Sequence, residues 1–174
     1  ELQNTRFVQQ LMALRLAERR VEHHQLPGGP GQLPQTEAKE EETAANVIII
    51  DSCIFIEHLR AGRDPTQVFA PYAQAYDLAT CGVIRCEVLR GMRTAKARTA
   101  LASYFDCLLY IPTLNQVWEA AEELLWQTDR SGFKIPLTDA LIAVCAMKTR
   151  GAVLTHDKHF KAVPGLRVLE DFPA

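Results

Sequence analysis

The 174-residue chain carries no bulk charge of one sign: 19 Lys and Arg stand against 21 Asp and Glu, with five His counted neutral. A net charge of −2 excludes a protein held to nucleic acid by overall positive charge, although a local basic patch stays open. There is no CxxC pair. The five Cys, at 53, 81, 86, 107 and 145, are odd in number and widely spaced, and three of them (Cys53, Cys107, Cys145) lie in apolar stretches. That argues against a disulfide framework and a zinc site, and for free thiols in a reducing cytoplasm. No apolar run approaches the roughly 18–20 residues that cross a bilayer; the longest candidate, Ala140 to Met147, is too short. No basic-then-apolar leader opens the chain, and a start on Glu1 in place of Met reads as a trimmed sequence. The glycine loops GxGxxG and GxxxxGK are missing too, which weakens nucleotide-binding readings.

What is present is an ordinary globular mix, 48% hydrophobic and 23% charged, with enough apolar material for a core and a length that suits one domain with an extension. The composition changes near residue 46. Residues 1–46 hold five basic groups against seven acidic ones, so the whole excess charge lies there; the remaining 128 residues carry 14 of each sign. Within that arm, Phe7, Leu11, Leu14 and Val21 fall on a helical stripe widened by Val8 and Met12, predicting an amphipathic helix over residues 1–24. LPGGPGQLP and the acidic run after it predict a flexible linker over 25–46. The domain proper is then 47–174.

From Val47 onward, short apolar runs alternate with helical segments. VIII (47–50) predicts a buried parallel strand. A helix follows over Ser52 to Arg60, and Asp64-Pro65 opens another. Leu78–Thr80 predicts a strand, Ile84–Met92 and Thr94–Phe105 helices, and Cys107–Ile111 a strand. Thr113 with Gln116 matches a capping box at the start of a long helix to about Asp129. Thr138 is placed to cap a helix over Asp139–Thr149 that Gly151 ends. AVLT (152–155), a short helix near Lys158–Lys161 and a strand at Arg167–Leu169 complete the series. This alternation predicts an α/β fold: a central parallel sheet covered on both faces.

In such a sheet ligands gather at the carboxyl ends of the strands. Asp51 follows the first strand directly, Asp157 stands two residues past AVLT, Asp139 begins the helix before that strand, and Glu87 lies on the helix after the second strand. Any one of them is explained by capping or by favourable placement near a helix start. Four together are different: crowded carboxylates repel, and a site that keeps them ionised needs a hard cation such as Mg²⁺ or Mn²⁺.

Three blocks then carry a resemblance. VIIIDSCIFIEHLR (47–60), GVIRCEVLRGMR (82–93) and IPLTDALIAVCAMKTRGAVLTHDKHF (135–160) occur in an order that resembles PIN domains, and in particular the VapC-type ribonuclease toxins of bacterial toxin–antitoxin pairs. The resemblance covers nearly all of 47–174; a departure is Cys53, where the family often has a small residue or Thr. It implies a three-layer α/β/α PIN-like fold and a metal-dependent endoribonuclease, in which one or two Mg²⁺ or Mn²⁺ ions activate water for attack on an RNA phosphodiester. It implies Asp51, Glu87, Asp139 and Asp157 as metal ligands and catalytic residues, with Asp51 central, an antitoxin partner and a homodimer. Ser52 and Thr155 carry hydroxyls suited to orienting a ligand, or else to capping a helix and packing at a strand end.

Arg85, Arg90, Arg93, Lys96 and Arg98 surround Glu87; such a run is either a solvated helix face or a hold on RNA phosphates. His156 and His159 flank Asp157, but imidazole is a poor ligand for Mg²⁺, so neither is expected to bind metal. Trp118 and Trp126, eight apart on one helix, are expected in core or interface packing. Residues 1–24, with Arg15, Arg19 and Arg20, either stand in for an antitoxin in cis or merely dimerise or extend the chain. The rivals are weaker. A haloacid-dehalogenase-type phosphatase wants a second Asp two residues after Asp51, where Cys53 stands, and a receiver domain wants an acidic pair at the first strand. The non-enzymatic rival is an inactive PIN-like RNA-binding or scaffold module.

Overall fold

The computed structural model describes residues 46–173; the helix and linker expected over 1–24 and 25–46 lie outside the described residues, apart from Asn46. Five parallel strands form one sheet: β1 (Val47–Ile50), β2 (Asp77–Cys81), β3 (Leu109–Ile111), β4 (Ala152–Leu154) and β5 (Arg167–Leu169), in the order β3-β2-β1-β4-β5. Six α-helices connect them: α1 (Ser52–Arg60), α2 (Pro65–Phe69), α3 (Gly82–Arg90), α4 (Ala95–Phe105), α5 (Asn115–Arg130) and α6 (Leu137–Lys148). Short 3₁₀ turns span Tyr72–Gln74 and Lys158–Ala162.

The centre of the sheet follows from β1. Its four β-branched residues are buried throughout, as a strand with helices on both faces requires. From β1 the chain builds outward through β2 to β3, then returns to the other side of β1 with β4 and β5. That reversal opens a crevice beyond the carboxyl ends of β1 and β4. The register is specific: Ile50 pairs with Leu154, and Asp51 N–H donates to the Leu154 carbonyl at 3.0 Å. Asp51 and Thr155, 104 residues apart, are thereby brought side by side at the sheet end.

Helix α6 is the pillar behind that crevice. Its run Ala140–Ala146 is buried on every side, and it packs against β1, β4, α3 and α5. Phe55 of α1, Phe69 of α2 and Phe105 of α4 cluster, with the Phe105 and Phe69 ring centroids 4.9 and 5.2 Å from that of Phe55, in the tilted and edge-on arrangements aromatic pairs favour.

Several expectations from the sequence need correction. The Thr113–Gln116 capping box does not form: α5 begins at Asn115 with Leu114 as N-cap and no side-chain cap. Thr138 is not a cap either. Pro136 precedes the helix, α6 starts at Leu137, and the Thr138 hydroxyl turns to Asp139 Oδ1 at 3.3 Å; a proline at the helix entrance sets the start earlier than the hydroxyl suggests. Gly151 does not supply the left-handed cap. Arg150 takes that conformation, with φ of 51°, and Gly151 is needed because a Cβ there would lie 2.7 Å from the Val47 carbonyl oxygen. The first half of Cys107–Ile111 is a turn, closed by Cys107 N–H to the Tyr104 carbonyl and Leu108 N–H to the Phe105 carbonyl, so β3 begins only at Leu109. Helix α3 starts at Gly82, directly at the end of β2, and stops at Arg90. Of the core or interface packing expected for Trp118 and Trp126, the core is excluded: they are 48% and 55% exposed, and Trp126 carries the Arg130 guanidinium on its face at 4.3 Å. No described helix is long and apolar enough to cross a membrane.

Candidate metal centre

Asp51 is the most buried carboxylate of the crevice, 4% exposed. Its backbone is extended, as an N-cap requires, and its Oδ1 accepts the Ser52 backbone N–H at 2.6 Å. Ser52 is thus the first helical residue and not the cap, and it is its N–H that holds Asp51. The other oxygen, Oδ2, accepts the Thr155 hydroxyl at 2.7 Å. Thr155 is itself buried and accepts the Asp157 N–H at 2.9 Å. One relay therefore links the ends of β1 and β4: Asp157 N–H to Thr155, Thr155 to Asp51. Cys53 lies 3.4 Å from the same hydroxyl. Burial, with the Asp51 charge and hydrogen bond adding to it, pushes its thiol up to about 12, so it stays neutral beside the carboxylate.

Asp157 caps the following 3₁₀ turn by accepting the His159 N–H on Oδ1 at 2.9 Å. That turn folds the imidazole back: His159 Nδ1 lies 3.0 Å from Asp157 Oδ1 and 3.4 Å from Asp139 Oδ2. Asp139 enters from the first turn of α6 with its side chain 15% exposed. Burial above all, then the charges of Asp157 and Asp51, raise its pKa from 3.8 to about 6. Its Oδ2 is shut off from solvent with no hydrogen bond, and so is His159 Nδ1; the two are close without the alignment a hydrogen bond needs. One ligand atom each from Asp139, Asp157 and His159 lies within 4.8 Å of the others. An orphaned carboxylate oxygen, mutually repelling acids and a donor set of hard oxygens with one imidazole nitrogen suit a divalent cation.

Of the four carboxylates expected together, Asp139 and Asp157 stand in this tight cluster. Asp51 adjoins it, close enough to act on the Asp139 charge. Glu87 lies half-buried on α3, which packs on α6. It is outside the three-residue cluster among the described residues, and its charge acts on the Cys81 thiol, which the hydrogen bond with Cys145 holds below its usual range. Of the basic run, Arg85 is engaged: it pairs with Asp106 at 2.8 Å and lies over the Phe105 ring. Arg90, Arg93, Lys96 and Arg98 are exposed. His156 is a strut, with Nδ1 2.8 Å from Glu57 Oε2 and Nε2 3.1 Å from the Glu170 carbonyl. Reasoning from the sequence set His159 aside as a ligand, whereas the structure places its ring in the cluster. The signal was the Asp157-x-His159 spacing: an Asp that caps its own i+2 N–H turns that side chain back onto the carboxylate.

Comparison with known proteins speaks to the family and the fold. The chain is 25% identical over 126 residues to ribonuclease VapC4 of Mycobacterium tuberculosis, covering 70% of this chain and 94% of that relative. The crystal structure of VapBC2 from Rickettsia felis, bound to a DNA fragment from its promoter, superposes with a TM-score of 0.60 at 18% identity, over 70% of this chain and 96% of that one. VapBC-1 from nontypeable Haemophilus influenzae gives 0.59 at 15% identity, over 70% and 96%; at these identities the likeness is one of fold. The sequence model of the PIN domain spans residues 48–166, from β1, just before Asp51, to the threshold of β5, and by that match the chain belongs to the PIN-domain family.

Proposed function

We propose that the chain is a metal-dependent endoribonuclease that hydrolyses RNA phosphodiester bonds, the toxin of a type II toxin–antitoxin pair working in the cytoplasm. The observation that carries this reading is the orphaned Asp139 oxygen facing Asp157, beside the buried Asp51, at the crevice between β1 and β4. The name ribonuclease VapC4 of the curated relative, and the toxin–antitoxin complexes among the similar structures, support it.

Asp51, Glu87, Asp139 and Asp157 would hold one or two Mg²⁺ or Mn²⁺ ions. A divalent cation there supplies Lewis acidity toward the phosphate and its attacking water. The chain's own part is positioning. Ser52 N–H and Thr155 hold the Asp51 carboxylate in one orientation, so its remaining lone pairs need no reorganisation. Thr155 also ties the Asp157 backbone to Asp51, which couples the two strand ends. Exposed Arg90, Arg93 and Lys96 would take RNA phosphates; Arg85, already paired with Asp106, keeps α3 and α4 in place. The domain would be 47–174, tethered through 25–46 to a helix over 1–24. A cognate antitoxin, or that helix in its place, would cover the site, and the toxin would form a homodimer.

Cleavage of a mixed RNA pool with Mg²⁺ or Mn²⁺ tests the activity, with Asp51→Asn alongside. Wild type should cleave and the variant should not; identical behaviour sinks the nuclease reading. Equal activity of the full chain and of 47–174 sinks inhibition by the N-terminal arm.

A further inference from the structure

The acidic set has no place for a nitrogen, yet the cluster contains one. His159 Nδ1 is 3.0 Å from Asp157 Oδ1 and 3.4 Å from Asp139 Oδ2, and it is sealed from solvent without a hydrogen bond. It stands at ion-pair distance from both carboxylates and is hydrogen-bonded to neither. The neighbouring imidazole, His156, has both nitrogens engaged by Glu57 and Glu170. The spacing also has a meaning. Adjacent ligands of an octahedral ion with bonds of about 2.1 Å are about 3 Å apart; His159 Nδ1 stands 3.0 and 3.4 Å from the two carboxylate oxygens. The backbone holds the ring there, because the His159 N–H is anchored on Asp157 Oδ1 at 2.9 Å. A ring placed this way is pre-positioned by the same turn that positions the carboxylate.

We propose that His159 Nδ1 is a direct metal ligand and that this nitrogen makes the centre select Mn²⁺ over Mg²⁺. The inference rests on reading the crevice as a metal centre. Its chemical basis is ligand preference. Mg²⁺ is held by oxygens and keeps several of its waters, whereas imidazole binds first-row transition ions more strongly. Replacing one oxygen position by nitrogen therefore costs Mg²⁺ more than Mn²⁺.

The test uses the full 174-residue chain and the ions alone, without RNA. Mn²⁺ affinity is read from the electron paramagnetic resonance of free Mn²⁺, Mg²⁺ affinity by competition, and nitrogen ligation from the ¹⁴N modulation of the bound Mn²⁺ spin echo. Wild type should bind Mn²⁺ at least about tenfold more tightly than Mg²⁺ and should show the nitrogen modulation. His159→Asn, which keeps the backbone N–H, should lose the modulation and most of the preference, with Mg²⁺ affinity changed less than about twofold. Absence of nitrogen modulation from wild type carrying Mn²⁺ overturns the inference without need of any variant. So does a His159→Asn protein that keeps the wild-type preference. Failure of wild type to bind either ion overturns the metal reading of the crevice, and this inference with it.

Discussion

At the end of β1, Asp51 has both oxygens occupied, one by the Ser52 N–H and one by the Thr155 hydroxyl. At the start of α6, Asp139 is also drawn into the protein, but its Oδ2 has no hydrogen bond and its pKa is raised to about 6. Both carboxylates belong to one crevice and both come from element ends. The difference lies in what surrounds them. A residue that leaves a strand to cap a helix meets free N–H groups at once, so its burial is offset locally. A residue inside the first turn of a buried helix is carried toward other acids by the packing of that helix, and for Asp139 only the Thr138 hydroxyl, at 3.3 Å from Oδ1, answers its charge locally. The first arrangement holds a carboxylate in one orientation; the second leaves a carboxylate oxygen without a hydrogen bond.

The comparison can be broken most severely at Asp51. Asp51→Asn should lower RNA cleavage by more than about a hundredfold, because it removes charge from the best-oriented group of the site; cleavage rates at saturating Mn²⁺ check this. Thr155→Val comes next. It leaves a buried Asp51 oxygen and the Asp157 N–H without partners, and should cost about 1–3 kcal/mol of stability in denaturant unfolding and about tenfold or more in cleavage.

Asp139 gives a smaller effect with the opposite sign. The folded protein keeps its proton up to about pH 6, whereas the unfolded chain releases it near 3.8. Between those values the folded state binds more protons, so this group's contribution to the metal-free protein weakens as pH rises and is lost above about pH 6. Asp139→Asn removes that dependence. Thermal unfolding without metal should show the variant as the more stable above about pH 6, the two curves converging toward about pH 4. The smallest effect concerns the exposed basic face. Arg90→Gln with Arg93→Gln should reduce the slope of log affinity against log salt by about 1.4, at about 0.7 for each single-strand phosphate that is no longer neutralised. The fold should be unchanged.

The agreement between sequence and structure has a physical pattern. Ser52–Arg60 and Arg167–Leu169 form as expected, and Asp64 caps α2 through the Thr66 N–H, because helical periodicity, β-branched residues and an Asp-Pro start act over a few neighbours. The two misplaced caps, Thr113 and Thr138, fail where a proline or the packing of the helix moved the first turn. Asp51, Asp139 and Asp157 were visible because each stands at the edge of an apolar run. Arg85 looked like one more cation of a basic face; its partner Asp106 is 21 residues away and reaches it only through the packing of α4 on α3.

The sequence by itself determined the alternation of strands and helices and the placement of carboxylates at their ends, since both rest on short-range periodicity and capping. Only the tertiary structure decided which of those carboxylates is satisfied and which is left wanting. The pairing of Ile50 with Leu154 sets Thr155 on Asp51, and the burial of α6 drives Asp139 toward Asp157 and His159. These interactions join residues many positions apart. Their energies come from desolvation and from charges at close range, which exist only once the sheet register and helix packing are in place.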